Sequence, residues 1–270
     1  MSNLAVVDVG TGPPLVLIPG IQGRWEYVQP AIDRLATSFR VLTFSLCGER
    51  GSKPSADPTL GLDGEAAQVS EVLDRRGIKN ATICGISFGG LVALRFAATH
   101  PDRTTALILA STPGAGWHLR PRHELYARLP WIFGPLFLAE SPFRLRAELE
   151  AAFPALSARC RFGLWQVGCL LRAPLSLQRM AQRAAVIAKA TPLEDCSRIQ
   201  SPTLVVVGER HLDRVVDVEA TLTYVGAIHG AGLAVMKDTG HLGVITKPDL
   251  FASLVRSFVS SAVHSERLAG

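Results

Sequence analysis

The chain has 270 residues, of which 48% are hydrophobic and 19% are charged, and its net charge is +5. This composition excludes an intrinsically disordered chain, which would hold fewer apolar residues. The longest apolar runs, such as residues 15–18 and 203–207, are far shorter than the roughly 20 residues that cross a bilayer, so no membrane span is expected. The start of the chain has no secretory signal pattern, and we expect a cytoplasmic protein.

The basic charge is concentrated in one segment. Residues 113–192 contain eleven Arg and Lys against four Glu and no Asp. These basic residues form no run with interleaved aromatic residues, so a nucleic-acid partner is not expected. The five cysteines are far apart and form no C-x-x-C pair, so they predict neither a zinc site nor a redox site.

Short strands and helices alternate along most of the chain. Apolar or β-branched runs predict strands over residues 4–9, 15–18, 41–44, 81–84, 106–110, 203–207 and 233–236. Helical patterns cover residues 28–36, 64–76, 88–100 and 249–263, and Asp63 is placed to cap the second of these helices. This alternation predicts an α/β fold in which helices flank a mainly parallel sheet.

The alternation stops between residues 110 and 203, where several helical stretches are separated by prolines. The prolines are Pro121, Pro130, Pro135, Pro142, Pro154 and Pro174. We therefore expect a helical cap over residues 113–192, inserted into a core domain of residues 1–112 and 193–270. Three of the four tryptophans lie in this segment, either lining a pocket or forming its own small core.

A candidate nucleophile, Ser87, stands in the sequence Gly-Ile-Ser-Phe-Gly-Gly, between a predicted strand and a predicted helix. A serine on such a sharp turn needs very small neighbours two positions away on each side, which Gly85 and Gly89 provide. The turn exposes the hydroxyl and places backbone N–H groups at a helix N-terminus, where they can stabilise negative charge. The sequence therefore predicts nucleophilic catalysis by Ser87.

A serine hydroxyl needs a base and an orienting carboxylate before it can attack. His241 follows the last predicted strand in the sequence Asp-Thr-Gly-His-Leu-Gly, and we expect it to be the base. The carboxylate is expected on the loop after the strand over residues 203–207. Three candidates lie there: Glu209, Asp213 and Asp217.

Together these motifs resemble the α/β-hydrolase superfamily, especially its cap-bearing serine hydrolases, with the chain order Ser, Asp, His. The resemblance implies that the backbone N–H groups of Ile21 and Phe88 form the oxyanion hole. Three positions depart from the pattern. Pro19-Gly20 replaces a frequent His-Gly pair, and Ser45 stands where an aspartate is common. His211 stands where the acid is usual, so that Asp213, two residues later, is the preferred acid and Glu209 is the next candidate.

The resemblance implies a hydrolase that needs no cofactor and acts on a small-molecule acyl substrate. We expect a small to medium, apolar carboxylic ester, cleaved through an acyl-enzyme intermediate. The same residues could serve a lactone or a C–C bond hydrolase. A receptor-like protein that binds a ligand with slow or no turnover is the alternative from another class. The sequence leaves the oligomeric state open.

Overall fold

A computed structural model describes the backbone of residues 4–50, 52 and 60–269, and the side chains as far as residue 262. Within these residues seven strands form one sheet. They are β1 (Val6–Val9), β2 (Pro14–Ile18), β3 (Arg40–Phe44), β4 (Ala81–Ile86), β5 (Thr104–Ala110), β6 (Thr203–Gly208) and β7 (Gly232–Met236). Their order is β1-β3-β2-β4-β5-β6-β7. Only β1 is antiparallel to its neighbour, so the predicted mainly parallel sheet is confirmed.

The α-helices connect these strands. They are α1 (Gln29–Leu35), α2 (Leu62–Arg75), α3 (Phe88–Thr99), α4 (Pro121–Arg128), α5 (Pro130–Ala152), α6 (Leu156–Arg172), α7 (Leu177–Lys189), α8 (Pro192–Cys196), α9 (Val218–Ala227), α10 (Gly243–Thr246) and α11 (Pro248–Ala269). Helices α4–α7, which we call the helical insertion, lie between β5 and β6 in the chain, inside the segment predicted as a cap.

Both faces of the sheet are buried, because side chains alternate along each strand. In β5, Leu107 and Leu109 pack into the cluster that holds residues of α2, α3 and α9. Ile108 lies in the opposite cluster, against residues of α1 and α11. Every residue of β4 is buried, which places the end of β4 at the centre of the fold.

The sequence predicted the start of α2 incorrectly. Helix α2 begins at Leu62, so Asp63 lies inside the first turn rather than at the cap. The Asp63 carboxylate instead accepts a hydrogen bond from Arg95 Nε at 2.6 Å. A tertiary ion pair with α3 therefore uses the side chain that the local pattern assigned to capping.

The prolines of the insertion separate fewer helices than their spacing suggests. Pro121 and Pro130 occupy first-turn positions of α4 and α5, where a missing N–H costs nothing. Pro135 and Pro142, however, lie inside the 23-residue helix α5. Both prolines are exposed, and the helix continues through them.

None of the helices in the described part of the chain is both long enough and apolar enough to cross a membrane.

The two-sided core predicts a sharp difference between two leucines. Leu107 is 0% exposed in central strand β5, whereas Leu233 is 47% exposed in edge strand β7. We expect Leu107→Ala to lower the free energy of unfolding by about 2–5 kcal/mol, because it removes buried methyl groups and leaves a cavity. Leu233→Ala, the matched control, should change it by less than about 1 kcal/mol. Urea unfolding followed by circular dichroism checks both values, and equal losses would contradict the assignment of the core.

Candidate active site

Ser87 occupies a strained turn between β4 and α3. Its φ of 54° is positive, a conformation that costs of order 1–3 kcal/mol for a residue with a side chain. A Cβ atom at Gly85 would lie 2.1 Å from the Gly89 oxygen, and one at Gly89 would lie 2.3 Å from the Ile18 oxygen. Both positions therefore require glycine, as the sequence predicted. Ser87 is 9% exposed.

The predicted oxyanion donors lie on two segments that meet at Ser87. Phe88 is the first residue of α3, so its N–H has no acceptor within that helix. A Cβ atom at Gly20 would lie 3.4 Å from Ser87 Cβ, which places the Gly20-Ile21 segment beside the serine. Among the described residues, the amides of Ile21 and Phe88 donate to no protein acceptor. Both N–H groups are thus available to a bound group.

A buried arginine supports the Ile21 segment. Arg183, on α7, donates from Nη1 to the Ile21 oxygen at 3.1 Å and to Glu49 Oε1 at 2.8 Å. Its Nη2 donates to the Cys47 oxygen at 3.1 Å. The Arg183 and Glu49 side chains are both buried, so their charges are paired away from solvent. Sequence reasoning missed this support, which comes from the insertion rather than from the residue before Gly20.

His241 lies between Ser87 and Asp213. Its Nε2 is 3.1 Å from Ser87 Oγ, and its Nδ1 is 3.4 Å from Asp213 Oδ2. The other Asp213 oxygen, Oδ1, accepts hydrogen bonds from the amides of Val215 and Val216, each at 2.9 Å. The structure therefore brings together the three side chains that the sequence predicted, with Asp213 held by its own loop.

Two glycines allow the acid loop and the histidine loop to touch. A Cβ atom at Gly208 would lie 2.4 Å from the Gly240 oxygen, and one at Gly240 would lie 2.6 Å from the Leu212 carbonyl carbon. The amide of Glu209 also donates to the Thr239 oxygen at 2.7 Å. This backbone contact at the carboxyl end of the sheet sets the distance between Asp213 and His241.

The other candidate acids have different partners. Glu209 Oε2 accepts a hydrogen bond from the Asp238 amide at 3.0 Å. Asp217 caps α9 by accepting from the Glu219 amide at 3.1 Å. His211 is exposed. Of the three carboxylates considered, only Asp213 contacts His241.

The electrostatics of this group favour a charged imidazole. Burial by itself lowers the pKa of His241, but the charge and hydrogen bond of Asp213, with the charge of Glu148, raise that pKa above its ordinary value of 6.5. Burial by itself raises the pKa of Asp213, whereas the neighbouring imidazole and two amide donors hold that pKa below its ordinary value. The pair is therefore arranged to stabilise a proton on His241.

Glu148 is a second carboxylate near His241, and sequence reasoning missed it. It lies on α5 and is 1% exposed. Its Oε1 accepts hydrogen bonds from the amides of Gly240 at 2.8 Å and Leu242 at 2.6 Å. Nothing in the local sequence distinguishes it from Glu150, two residues later, which makes surface ion pairs with Arg146 and Arg159.

Two cavities are lined in part by residues of the helical insertion, and Ser87 lines neither of them. One, of about 80 Å³, is bounded by Ile21 and by residues of α4, α5 and α7, including Tyr126, Phe137 and Met180. The other, of about 540 Å³, lies between α2 and α7 and carries charged side chains such as Arg95 and Arg179. Each cavity touches one predicted oxyanion residue: Ile21 lines the smaller, more apolar cavity, and Phe88 lines the larger one. Trp131 and Phe143, by contrast, are exposed and line neither.

No group of three or more His, Cys, Asp or Glu side chains that could hold a metal ion occurs in the described ranges.

Known proteins resemble this chain over most of its length. A 2-hydroxymuconate semialdehyde hydrolase from Pseudomonas sp. (strain CF600) is 30% identical over 285 aligned residues, covering 94% of this chain and 89% of the relative. A poly(3-hydroxyalkanoate) depolymerase from Ectopseudomonas oleovorans is 26% identical, with coverage of 91% and 84%.

A solved structure shares the fold. The enol-lactonase from Burkholderia xenovorans LB400 superposes with a TM-score of 0.79 at 22% identity, covering 95% of this chain and 96% of the lactonase. A family model described as "Alpha/beta hydrolase family" matches residues 15–254. The order of the sheet, the turn at Ser87 and this match agree, and the chain belongs to the alpha/beta hydrolase family.

Proposed function

We propose that this protein is a serine hydrolase that cleaves a small, apolar carboxylic ester through an acyl-enzyme intermediate. The observation that carries the proposal is the chain of contacts from Ser87 Oγ to His241 Nε2 at 3.1 Å and from His241 Nδ1 to Asp213 at 3.4 Å. A nucleophile, a base and an orienting carboxylate in this order are what acyl transfer requires. The second distance is long for a hydrogen bond, and such contacts commonly shorten when substrate binds.

In the first half of the proposed reaction, Ser87 Oγ attacks the acyl carbon of the ester while His241 Nε2 accepts the hydroxyl proton. The negative charge that develops on the carbonyl oxygen is bound by the N–H groups of Ile21 and Phe88. His241 then donates the proton to the leaving alcohol. In the second half, water loses a proton to His241 and attacks the acyl-serine, and His241 returns that proton to Ser87 Oγ as the acid leaves, which regenerates the hydroxyl.

The cavity beside Ile21 supports a short apolar chain on the substrate. Its volume of about 80 Å³ is roughly half that of an apolar cavity that holds benzene, about 150 Å³. A reacting carbonyl held by the Ile21 amide would direct one substituent into this space. We therefore propose that the helical insertion acts as the cap and that α4, α5 and α7 select the substrate.

Two other reactions, the opening of a lactone and the hydrolysis of 2-hydroxymuconate semialdehyde, are also candidates because of the relatives. The depolymerase and the 2-hydroxymuconate semialdehyde hydrolase are similar in sequence, and the enol-lactonase is similar in fold. A lactone would open by the same attack of Ser87 on an acyl carbon. A lactone and 2-hydroxymuconate semialdehyde therefore belong in the substrate panel beside the aryl esters.

The proposal predicts covalent labelling of Ser87. We expect an active-site fluorophosphonate to modify the protein, because a basic imidazole lies next to the hydroxyl, and short-chain aryl esters such as p-nitrophenyl butyrate to be hydrolysed. Intact mass spectrometry and a colorimetric assay measure the two results. Ser87→Ala, the control, should show neither. If the unchanged protein is neither labelled nor active on the whole panel, the protein is a ligand-binding member of the family and the proposal is wrong.

A second prediction concerns the acid. Asp213→Ala should lower kcat about a hundredfold or more, because His241 loses the carboxylate that orients it and stabilises its charge. His211→Ala and Glu209→Ala, in the same loop, should remain close to the unchanged protein. Steady-state kinetics on one aryl ester compares the three variants. Near-normal turnover by Asp213→Ala would remove Asp213 from the mechanism.

A third prediction concerns pH. His241 acts as a base only when neutral, and its pKa is raised above 6.5, so kcat/KM should fall as the pH drops through a midpoint above 6.5. Asp213→Asn removes a charge that raises this pKa, and the midpoint should move to lower pH. NMR titration of the His241 ring, assigned with His241→Ala, measures both midpoints. A midpoint that does not move would show that Asp213 does not stabilise the charged ring.

A further inference from the structure

The backbone on both sides of His241 is held by one carboxylate oxygen. Glu148 Oε1 accepts from the amide of Gly240 at 2.8 Å and from the amide of Leu242 at 2.6 Å. The first bond orients the peptide group between Thr239 and Gly240, and the second orients the one that follows His241. These two anchor points confine the segment that carries the imidazole.

Burying Glu148 is costly, so this contact needs an explanation. Transfer of a carboxylate out of water is strongly unfavourable unless hydrogen bonds or an opposite charge compensate. Among the described residues, Glu148 forms no ion pair with Lys or Arg, and its hydrogen-bonding partners are the two amides. Burial raises the pKa of Glu148 above its ordinary value of 4.5, and the charge of Asp213 adds to that rise, whereas the two amide donors and the charge of His241 oppose it.

The anchored segment is packed on one side against the loop after β6, where Gly240 contacts Gly208 and Leu212. Glu148 holds it on the side of the helical insertion, and Gly240, without a side chain, would otherwise leave the backbone more conformational freedom there. The imidazole must nevertheless stay within hydrogen-bonding distance of Ser87 Oγ, now 3.1 Å from Nε2. A shift of about 1 Å in a reacting group can cost on the order of a hundredfold in rate. Hydrogen bonds to an ionised acceptor are about twice as strong as neutral ones, which suits a carboxylate to this task.

We propose that Glu148 is a positioning residue, which holds the segment Gly240-His241-Leu242 from the helical insertion and so aligns His241 with Ser87. This inference rests on the proposed function, since alignment matters only if His241 activates the serine. Glu148 acts through the backbone and does not touch the reacting atoms. It couples the placement of α5 to the reactivity of a serine in the core.

Two substitutions separate the hydrogen bonds from the charge. Glu148→Gln keeps an Oε1 acceptor for both amides and removes the charge, whereas Glu148→Ala removes both. Glu150→Ala is the matched control, because Glu150 lies on the same helix and, among the described residues, pairs with Arg146 and Arg159 at the surface. Thermal unfolding of each variant establishes that it is folded at the assay temperature.

The rate of fluorophosphonate labelling reports directly on the activation of Ser87. We expect Glu148→Ala to lower this rate about tenfold or more, with kcat on an aryl ester lowered similarly and KM little changed. Glu148→Gln should restore most of the rate, to within about threefold of the unchanged protein, because neutral hydrogen bonds to the same amides remain. Glu150→Ala should label at the unchanged rate.

Hydrogen exchange provides a readout that needs no turnover. The amides of Gly240 and Leu242 should exchange at least about tenfold faster in Glu148→Ala than in Glu148→Gln, because only the alanine variant leaves them without an acceptor. In both variants the His241 ring should titrate at lower pH, since the Glu148 charge contributes to its raised pKa. A change confined to folding stability would alter neither the difference in amide exchange between the two variants nor the pH at which the His241 ring titrates.

The outcomes distinguish the two hypotheses. Labelling of Glu148→Ala as fast as the unchanged protein, or a glutamine variant as impaired as the alanine variant, would overturn the positioning role and leave the proposed function intact. An unchanged protein that resists the fluorophosphonate and the ester panel would overturn the proposed function. In that case faster hydrogen exchange of the Gly240 and Leu242 amides in Glu148→Ala than in Glu148→Gln would still support the anchoring. Equal exchange rates in these two variants would refute it.

Discussion

Close backbone contacts at the carboxyl end of the sheet leave no room for a Cβ atom. Gly85 lets the end of β4 approach the start of α3, and Gly89 brings the start of α3 against the end of β2. Gly208 and Gly240 bring the loop after β6 against the loop that carries His241. Because these contacts are between main chains, they set the separations of the reactive side chains more rigidly than side-chain packing could. The positive φ of Ser87 persists because the surrounding backbone enforces it.

The sequence predicted the parts of the site that depend on local structure. Ser87 lies in a strand-turn-helix segment whose glycines have a local steric reason, and His241 follows a strand in a short glycine-containing loop. Asp213 was harder, because three carboxylates follow β6 within nine residues, and only tertiary contacts separate them. Glu209 binds Asp238 and Asp217 caps a helix, which are uses that the chain order does not reveal.

The residues that the sequence missed act on backbone groups far away in the chain. Glu148 contacts an amide 92 residues later, and Arg183 contacts a carbonyl 162 residues earlier. Almost every residue has the same main-chain donor and acceptor, so the sequence does not indicate which backbone amide Glu148 binds or which backbone carbonyl Arg183 binds. Likewise, the start of α2 was misjudged because Asp63 serves an ion pair with α3, and α5 continues through two exposed prolines. Tertiary contacts decided the cases of Glu148, Arg183 and Asp63.

The helical insertion is attached to the core on both sides of the serine. Arg183 donates a hydrogen bond to the Ile21 oxygen, and Glu148 accepts a hydrogen bond from the loop that carries His241. The helices that line the smaller cavity therefore include the helices that contact the Ile21 and His241 segments. In evolutionary terms, this insertion is not an interchangeable module. A graft of another family member's helices onto this core would have to bring both contacts with it, so that under the proposed function recognition and chemistry would change together.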